Sequence, residues 1–308
     1  MNDSINKKII MIDGGLGRVI ALTGVITEYA KRNPELEINI LTPYPELFYN
    51  NPYIKKCYSD KHPYIFEDVI KNMDYIEIEL YKDYDFYSNK KHIIEVYSKL
   101  LLGKSEFINP QIFLLDSEIQ EAKEYFEKTF KKPVIYFQPF GSTGGKLDSF
   151  KLIPDYTGRS LEYKFAEKII ESLKDKFDIV QIRSPNQKAI DSVCSLLQSN
   201  GEEMPIRKLI ASFKFVTGII TCDSMSLHIA KLLNKSNVIV FWGASYPSNF
   251  GYQEHNNFVL LNKFYWQPLR LISNNFNRID QNKDIMKEYN DEHINKLIET
   301  ANKWILID

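Results

Sequence analysis

The chain alternates short apolar runs with longer stretches of helical periodicity, and the apolar runs end in small or polar residues. Ile9 to Ile12 is the first such run, and it leads into Asp13-Gly14-Gly15-Leu16-Gly17. A helical pattern follows from Arg18 to about Arg32, with Ile20, Val25, Ile26 and Tyr29 on its apolar side. Asn33-Pro34 ends it, because the residue before a proline is pushed out of helical conformation. Glu37 to Leu41 is a second strand that stops at Thr42-Pro43. A strand, a helix and a second strand in succession imply parallel pairing, since parallel strands need a long crossover. Residues 51–58 predict a loop and a third short strand, and Tyr75 to Leu80 another strand. His92 to Leu102 predicts an amphipathic helix closed by Gly103.

Ser117 to Phe130 predicts a charged helix, and Lys131-Lys132-Pro133 after it is the best linker candidate. The alternation then restarts. Strands are expected at Val134 to Gln138, Asp178 to Ile182, Val216 to Thr221 and Val238 to Trp242. Helices are expected at 161–174, 205–214, Ser226 to Leu233 and Asp291 to Trp304. The fold class is α/β: two doubly wound parallel-sheet domains, 1–131 and 132–308, with the last helix a candidate to pack back on the first.

Composition narrows the function classes. The formal charge is -1 and the pI about 6.6, so no global basic field calls for nucleic acid, although a local basic face is compatible with that average. The three cysteines, Cys57, Cys194 and Cys222, form no CxxC pair and have no histidine at zinc spacing, so reduced thiols and no metal site are expected. Residues 1–8 are polar and no stretch reaches the ~18 apolar residues of a membrane span, so the expectation is a cytoplasmic protein without a membrane helix.

The candidate chemistry sits where strands end. The run from Thr217 stops at Asp223-Ser224, and His228 follows on a new helix. Ligands of parallel sheets bind at the carboxyl edge. A carboxylate, a hydroxyl and helix N-terminal N–H groups together suit a ribose hydroxyl beside a phosphate. Asp223 as a helix cap and His228 as a structural histidine are the plainer readings. Gly141-Ser142-Thr143-Gly144-Gly145-Lys146 is a second glycine loop, without the spacing of a Walker loop, whose backbone and hydroxyls suit phosphate. Arg159 and Arg183 are candidates to neutralise a diphosphate. Gly243 opens another strand exit with small residues.

The first loop offers Gly15-x-Gly17-x-x-Ile20, where a dinucleotide fingerprint wants Gly or Ala third, and the second strand lacks the acid that would bind ribose. A glycine turn at Gly14, Gly15 and Gly17 that lets backbone approach an acceptor or phosphate fits better than a nicotinamide or flavin site. Tyr81 to Lys91 mixes aromatics with lysines, as a sugar- or base-stacking surface would and as an ordinary loop of a Tyr-rich protein also would.

Asp223-Ser-Met-Ser-Leu-His228-Ile-Ala resembles the nucleotide-sugar motif of the ADP-heptose lipopolysaccharide heptosyltransferases, glycosyltransferase family nine. Phe241-Trp-Gly243-Ala-Ser-Tyr-Pro247, Asn51-Pro52-Tyr53-Ile54 and the Gly14–Gly17 opening are similar to further motifs of that family; the Lys-Pro after the helix is missing, the chain reading Asn234-Lys235-Ser236. The resemblance implies a GT-B fold with the active site in a cleft between two Rossmann-like domains. It implies inverting, metal-independent transfer from a nucleotide sugar, with no cofactor. The donor would bind the second domain through Gly141, Ser142, Thr143, Arg159, Arg183, Asp223, Ser224, His228 and Gly243. The acceptor would bind the first near Gly14, Gly15 and Gly17; it is expected to be a glycan such as lipopolysaccharide, with peripheral membrane contact compatible. Arg18 stands where the family typically has an aspartate base, and an arginine cannot accept a proton. Asp13 is then the nearest candidate base, with Arg18 a candidate to hold a phosphate. The alternatives are a phage enzyme that glycosylates hydroxymethylated DNA bases in the host cytoplasm, a sugar-nucleotide binder without turnover, and an epimerase.

Overall fold

The computed structural model describes residues 6–80, 83–142, 147–148, 151–152, 159–191, 194–195, 204–243, 245–259 and 290–307. The chain divides into two units, Met1–Glu118 and Ile119–Asp308.

The first unit runs β1 (Lys7–Met11), α1 (Leu16–Arg32), β2 (Glu37–Thr42), β3 (Lys56–Ser59), α2 (Ile65–Asp68), β4 (Asp74–Glu77), α3 (Tyr84–Tyr87) and α4 (Ile93–Leu102). Its four strands are all parallel, in the order β3-β2-β1-β4. Helix α1 buries Val19, Ile20, Leu22, Val25 and Ile26. Gly24 is required in it: a Cβ there would sit 1.9 Å from the Asn109 carbonyl oxygen. Helix α4 begins and ends as its sequence predicts. His92 caps it in a capping box with Glu95, and Gly103, at φ +75, closes it. Strand β4 is shorter than expected, ending at Glu77, and Leu80 is buried beyond it.

Helix α5 (Asp116–Thr129) spans the division between the units. Only Ala122 and Phe126 of it are buried, and Phe126 packs on Tyr136 and Phe215 of the second unit. The second unit continues with β5 (Val134–Gln138), β6 (Leu147–Asp148), β7 (Lys151–Leu152), α6 (Tyr163–Leu173), β8 (Asp178–Gln181) and β9 (Cys194–Ser195). There follow α7 (Ile206–Ser212), β10 (Gly218–Cys222), α8 (Met225–Leu232), β11 (Val238–Trp242), α9 (Pro247–Phe250), β12 (Asn256–Val259) and α10 (Asp291–Asn302). Strands β6 and β7 form a small antiparallel pair. The main sheet is parallel, in the order β12-β11-β10-β5-β8-β9.

Strands β5, β10 and β11 are buried at every residue, which is why they read as unbroken apolar runs. Edge strand β12, Asn-Asn-Phe-Val, carries no such run and is defined by its pairing with β11. Helix α10 places Ile294, Leu297 and Ala301, with Trp304 just after it, in the core of the second unit beside Phe165 and Ile169. Gly218 admits Trp304: a Cβ would meet its ring at 2.2 Å.

Both sheets reverse their winding once. The chain goes from β1 outward through β2 and β3, then returns to the other side of β1 with β4. In the second unit it goes from β5 through β8 to β9, then crosses to β10, β11 and β12. The connections diverge at such a reversal and leave a crevice at the carboxyl ends of the two central strands.

Candidate functional site

In the second unit the reversal lies between β5 and β10, and the polar ends of those strands meet there. Gln138 ends β5, and its Oε1 accepts hydrogen bonds from Ser224 Oγ at 2.7 Å and Ser226 Oγ at 2.5 Å. Ser224 Oγ also lies 2.8 Å from Thr221 Oγ1. Ser224 is the N-cap of α8, yet its hydroxyl is spent on Gln138 and Thr221, so its side chain does not cap this helix. Asp223 follows β10 and its side chain does not take over that cap, contrary to the plainer reading of the sequence.

Arg159 reaches the same place. Its Nη1 donates to the Asp223 carbonyl oxygen at 3.2 Å, and its guanidinium lies 3.5 Å from where a Gly141 Cβ would be. The Gly141 backbone is held on both sides: its N–H donates to Ser160 Oγ at 2.9 Å, and its carbonyl accepts from Gln187 Nε2 at 2.8 Å. Arg183 is turned onto its own loop, donating to the Gln187 carbonyl at 2.9 Å. Ser142 is exposed, Gly243 is buried at the end of β11, and Thr143 lies outside the described residues.

Asp223 is only 7% exposed. Burial pushes its carboxyl above the ordinary range, while the charge of Arg159 and the Ser245 hydroxyl oppose that shift. Ser245, 4% exposed, faces the carboxylate, and its Oγ is buried without a partner within ordinary hydrogen-bond length. His228, on the second turn of α8, is buried, with Nδ1 2.7 Å from the Tyr252 hydroxyl.

In the first unit the reversal lies between β1 and β4, and Arg18 occupies it. Its Nε donates to Tyr97 Oη at 2.6 Å and its Nη2 to the Ile78 carbonyl at 3.3 Å. Its Nη1 pairs with Asp13 Oδ1 at 3.1 Å, and Glu79 lies at 4.0 Å. The guanidinium is largely enclosed, with 13% of the side chain exposed, whereas the Asp13 side chain is 80% exposed. Gly14, at φ +100, makes the turn, and a Cβ there would meet Arg18 Cδ at 2.8 Å. Gly15 caps α1 in extended conformation, with Gly17 in its first turn.

The lysines of the aromatic stretch are engaged locally. Lys90 lies over the Tyr84 ring at 5.2 Å, and Lys91 bonds Ser105 Oγ at 3.0 Å and pairs with Asp85 at 3.6 Å. Asp83 caps α3 and pairs with Lys99 at 2.8 Å. Tyr81 and Lys82 lie outside the described residues.

Sequence reasoning missed Gln138, Ser160, Gln187, Tyr97 and Tyr252, and it gave Ser245 no role beyond its place in the Gly243–Pro247 motif. Gln138 carried a usable signal, a lone polar residue closing a fully apolar strand; the others sit in loops or helices that only tertiary packing brings to the strand ends. Among the described residues, no group of three or more His, Cys, Asp or Glu could hold a metal, and no helix is long and apolar enough to cross a membrane.

Two parallel α/β units, each gathering polar groups at its winding reversal, define a tandem doubly wound protein. Its fold is that of the family-nine glycosyltransferases, as the sequence motifs suggest. The ADP-heptose lipopolysaccharide heptosyltransferase II of E. coli matches at a TM-score of 0.65 and 14% identity, over 97% of this chain and 98% of its own. The family 9 glycosyl transferase of Veillonella parvula matches at 0.63 and 13%, over 100% and 99%. TibC, an iron-containing dodecameric glycosyltransferase of enterotoxigenic E. coli, matches at 0.63 and 10%, over 98% and 80%. No protein-family model and no curated protein matches the sequence.

Proposed function

We propose that the chain is a glycosyltransferase that takes a sugar from a nucleotide-sugar donor held at the β5/β10 edge of the second unit. One observation carries this reading: the Ser245 hydroxyl is buried without a partner of ordinary length, beside the buried Asp223 carboxylate. An unsatisfied buried polar group costs about 1–3 kcal/mol. Such a hydroxyl beside a buried carboxylate at a sheet edge marks a place where a ligand completes the bonding. A carboxylate only accepts, so it calls for donors, and sugar or ribose hydroxyls supply them. The uncapped N-terminus of α8 and the Arg159 guanidinium suit the diphosphate.

In this reading the first unit takes the acceptor at the Gly14–Arg18 turn. A carboxylate, with Asp13 the candidate, removes the proton of an acceptor hydroxyl. The oxygen attacks the anomeric carbon opposite the leaving diphosphate, so that the bond to the diphosphate breaks and the configuration inverts. Arg159 and the end of α8 stabilise the charge on the departing group, and no metal takes part. Unchanged turnover in EDTA would support the last point, and loss of turnover on chelation would refute it.

The heptosyltransferase neighbours make ADP-heptose the first donor to test and a glycan such as lipopolysaccharide the first acceptor. The intramolecular partners of Lys90 and Lys91 favour a glycan over hydroxymethylated DNA. A second reading, binding without turnover, is favoured by the Arg18–Asp13 ion pair, which occupies the candidate base. Calorimetric titration with ADP-, UDP-, GDP- and CDP-sugars tests the donor site. One should bind, and Arg159→Ala should weaken it by about tenfold, the scale of one charge-assisted hydrogen bond. Absence of binding by all four donors refutes the reading. Binding without transfer to any glycan selects the second one.

A further inference from the structure

Tyr252 lies beneath His228 and is held rigidly. Gly251 before it lies in a tight turn, where a Cβ would meet the Pro247 carbonyl oxygen at 2.8 Å. The Tyr252 carbonyl accepts from His255 N–H at 3.2 Å and from Asn257 Nδ2 at 3.0 Å. Its ring meets the His228 ring edge-on, at 88°, and the His255 ring at 74°, with Lys231 Nζ 5.5 Å from its centre. Its hydroxyl is 2.7 Å from His228 Nδ1, in a region where both residues are buried. Burial, with Glu254 and Asp223 adding to it, holds the phenol well above its ordinary ionisation range, so it is a neutral O–H at physiological pH.

A neutral imidazole carries one proton, and whichever group bonds one nitrogen decides where that proton resides. We propose that Tyr252 is a positioning residue, donating its O–H to His228 Nδ1 and so keeping the imidazole proton on Nε2. The direction follows from the two groups themselves, because a phenol O–H is a stronger donor than an imidazole N–H and a neutral imidazole nitrogen is a stronger acceptor than a phenol oxygen. His228 sits one turn into α8, the helix whose uncapped N-terminus and neighbouring Arg159 gather positive potential for an anion. A proton on the remaining nitrogen adds a donor for the anion held there, whereas a lone pair would repel it. The inference rests on the donor-site reading and deepens it: the hydroxyl of Tyr252 tunes the site toward the diphosphate of the donor.

Histidine-selective nitrogen NMR on the ligand-free full chain reads the tautomer directly, with His228→Gln supplying the assignment among the five histidines. The wild type should show Nδ1 bare and Nε2 protonated, and Tyr252→Phe should show both tautomers in exchange. A wild-type proton on Nδ1, or an unchanged tautomer in Tyr252→Phe, overturns the inference. The wild-type spectrum alone decides if the variant does not fold. ADP, UDP, GDP and CDP are then the binding probes, with the matching nucleosides as controls. Tyr252→Phe should weaken the diphosphate that binds by about tenfold and leave its nucleoside unchanged. Equal loss for both would mean a merely structural residue and would also overturn the inference. If no diphosphate binds the wild type, the donor-site reading fails, while the tautomer still decides the role of Tyr252.

Discussion

Gln138→Leu tests whether one amide oxygen organises the donor edge. Leucine keeps most of the volume at the end of β5 and removes the acceptor shared by Ser224 and Ser226. Ser224 retains Thr221 Oγ1 at 2.8 Å, so it loses one bond of two. Ser226 is fully buried and, among the described residues, Gln138 is the partner of its hydroxyl, which the variant orphans. One lost hydrogen bond at about 1 kcal/mol and one orphaned hydroxyl at about 1–3 kcal/mol give a cost of about 2–4 kcal/mol. Removing Ser226 as well leaves nothing orphaned, so the double variant Gln138→Leu/Ser226→Ala should lose about 1–2 kcal/mol less than the sum of the single losses. The assay is urea unfolding followed by tryptophan fluorescence. All the tryptophans, Trp242, Trp266 and Trp304, fall in the second unit, so the signal reports that unit alone. Additive single losses would refute the shared-acceptor argument.

Further outcomes follow from the same geometry. Asp223→Asn should stabilise the ligand-free protein while abolishing donor binding. A carboxyl whose folded pKa is raised leaves the two states equally protonated at low pH. As pH rises above the ordinary 3.8, the unfolded chain ionises first, so the native state loses stability up to the raised value, and the advantage of Asn should grow across that window in pH-dependent melting. Gly218→Ala drives a methyl into the Trp304 ring at 2.2 Å and should cost about 1–3 kcal/mol or more in urea titration of the second unit; wild-type stability would refute the reading of that contact.

The sequence was most legible where a local rule suffices. Helix α4 starts at His92 and stops at Gly103 because capping and left-handed backbone are properties of a few adjacent residues. Strands β5, β10 and β11 announced themselves because a parallel strand covered on both faces must be apolar throughout. Edge strand β12 did not, because its definition lies in backbone pairing with β11 rather than in its own side chains. The two-residue strand β9 carries too few residues for any period to appear. The linker expected at Lys131-Lys132-Pro133 follows a helix whose few apolar residues, Ala122 and Phe126, tie it to the second unit, and so small an apolar face leaves little trace in a pattern of charges.

By itself, then, the sequence determined the alternation of strands and helices, their parallel pairing, and the polar residues at each strand end: Asp13, Gly14 and Arg18 in one unit, Gly141, Asp223 and Ser224 in the other. The tertiary structure decided which strand ends are neighbours. The winding reversals at β1/β4 and β5/β10 bring Tyr97 and the Ile78 carbonyl to Arg18, and Gln138 and Arg159 to the Asp223-Ser224 turn. Packing also set Tyr252 against His228 and left the Ser245 hydroxyl without a partner beside the buried Asp223 carboxylate. Hydrophobic period and capping act over a few residues and are written locally. Strand order, and the partners of a buried polar group, depend on contacts between segments 60 to 90 positions apart, such as Arg18 with Ile78 or Gln138 with Ser226, and no local pattern encodes them.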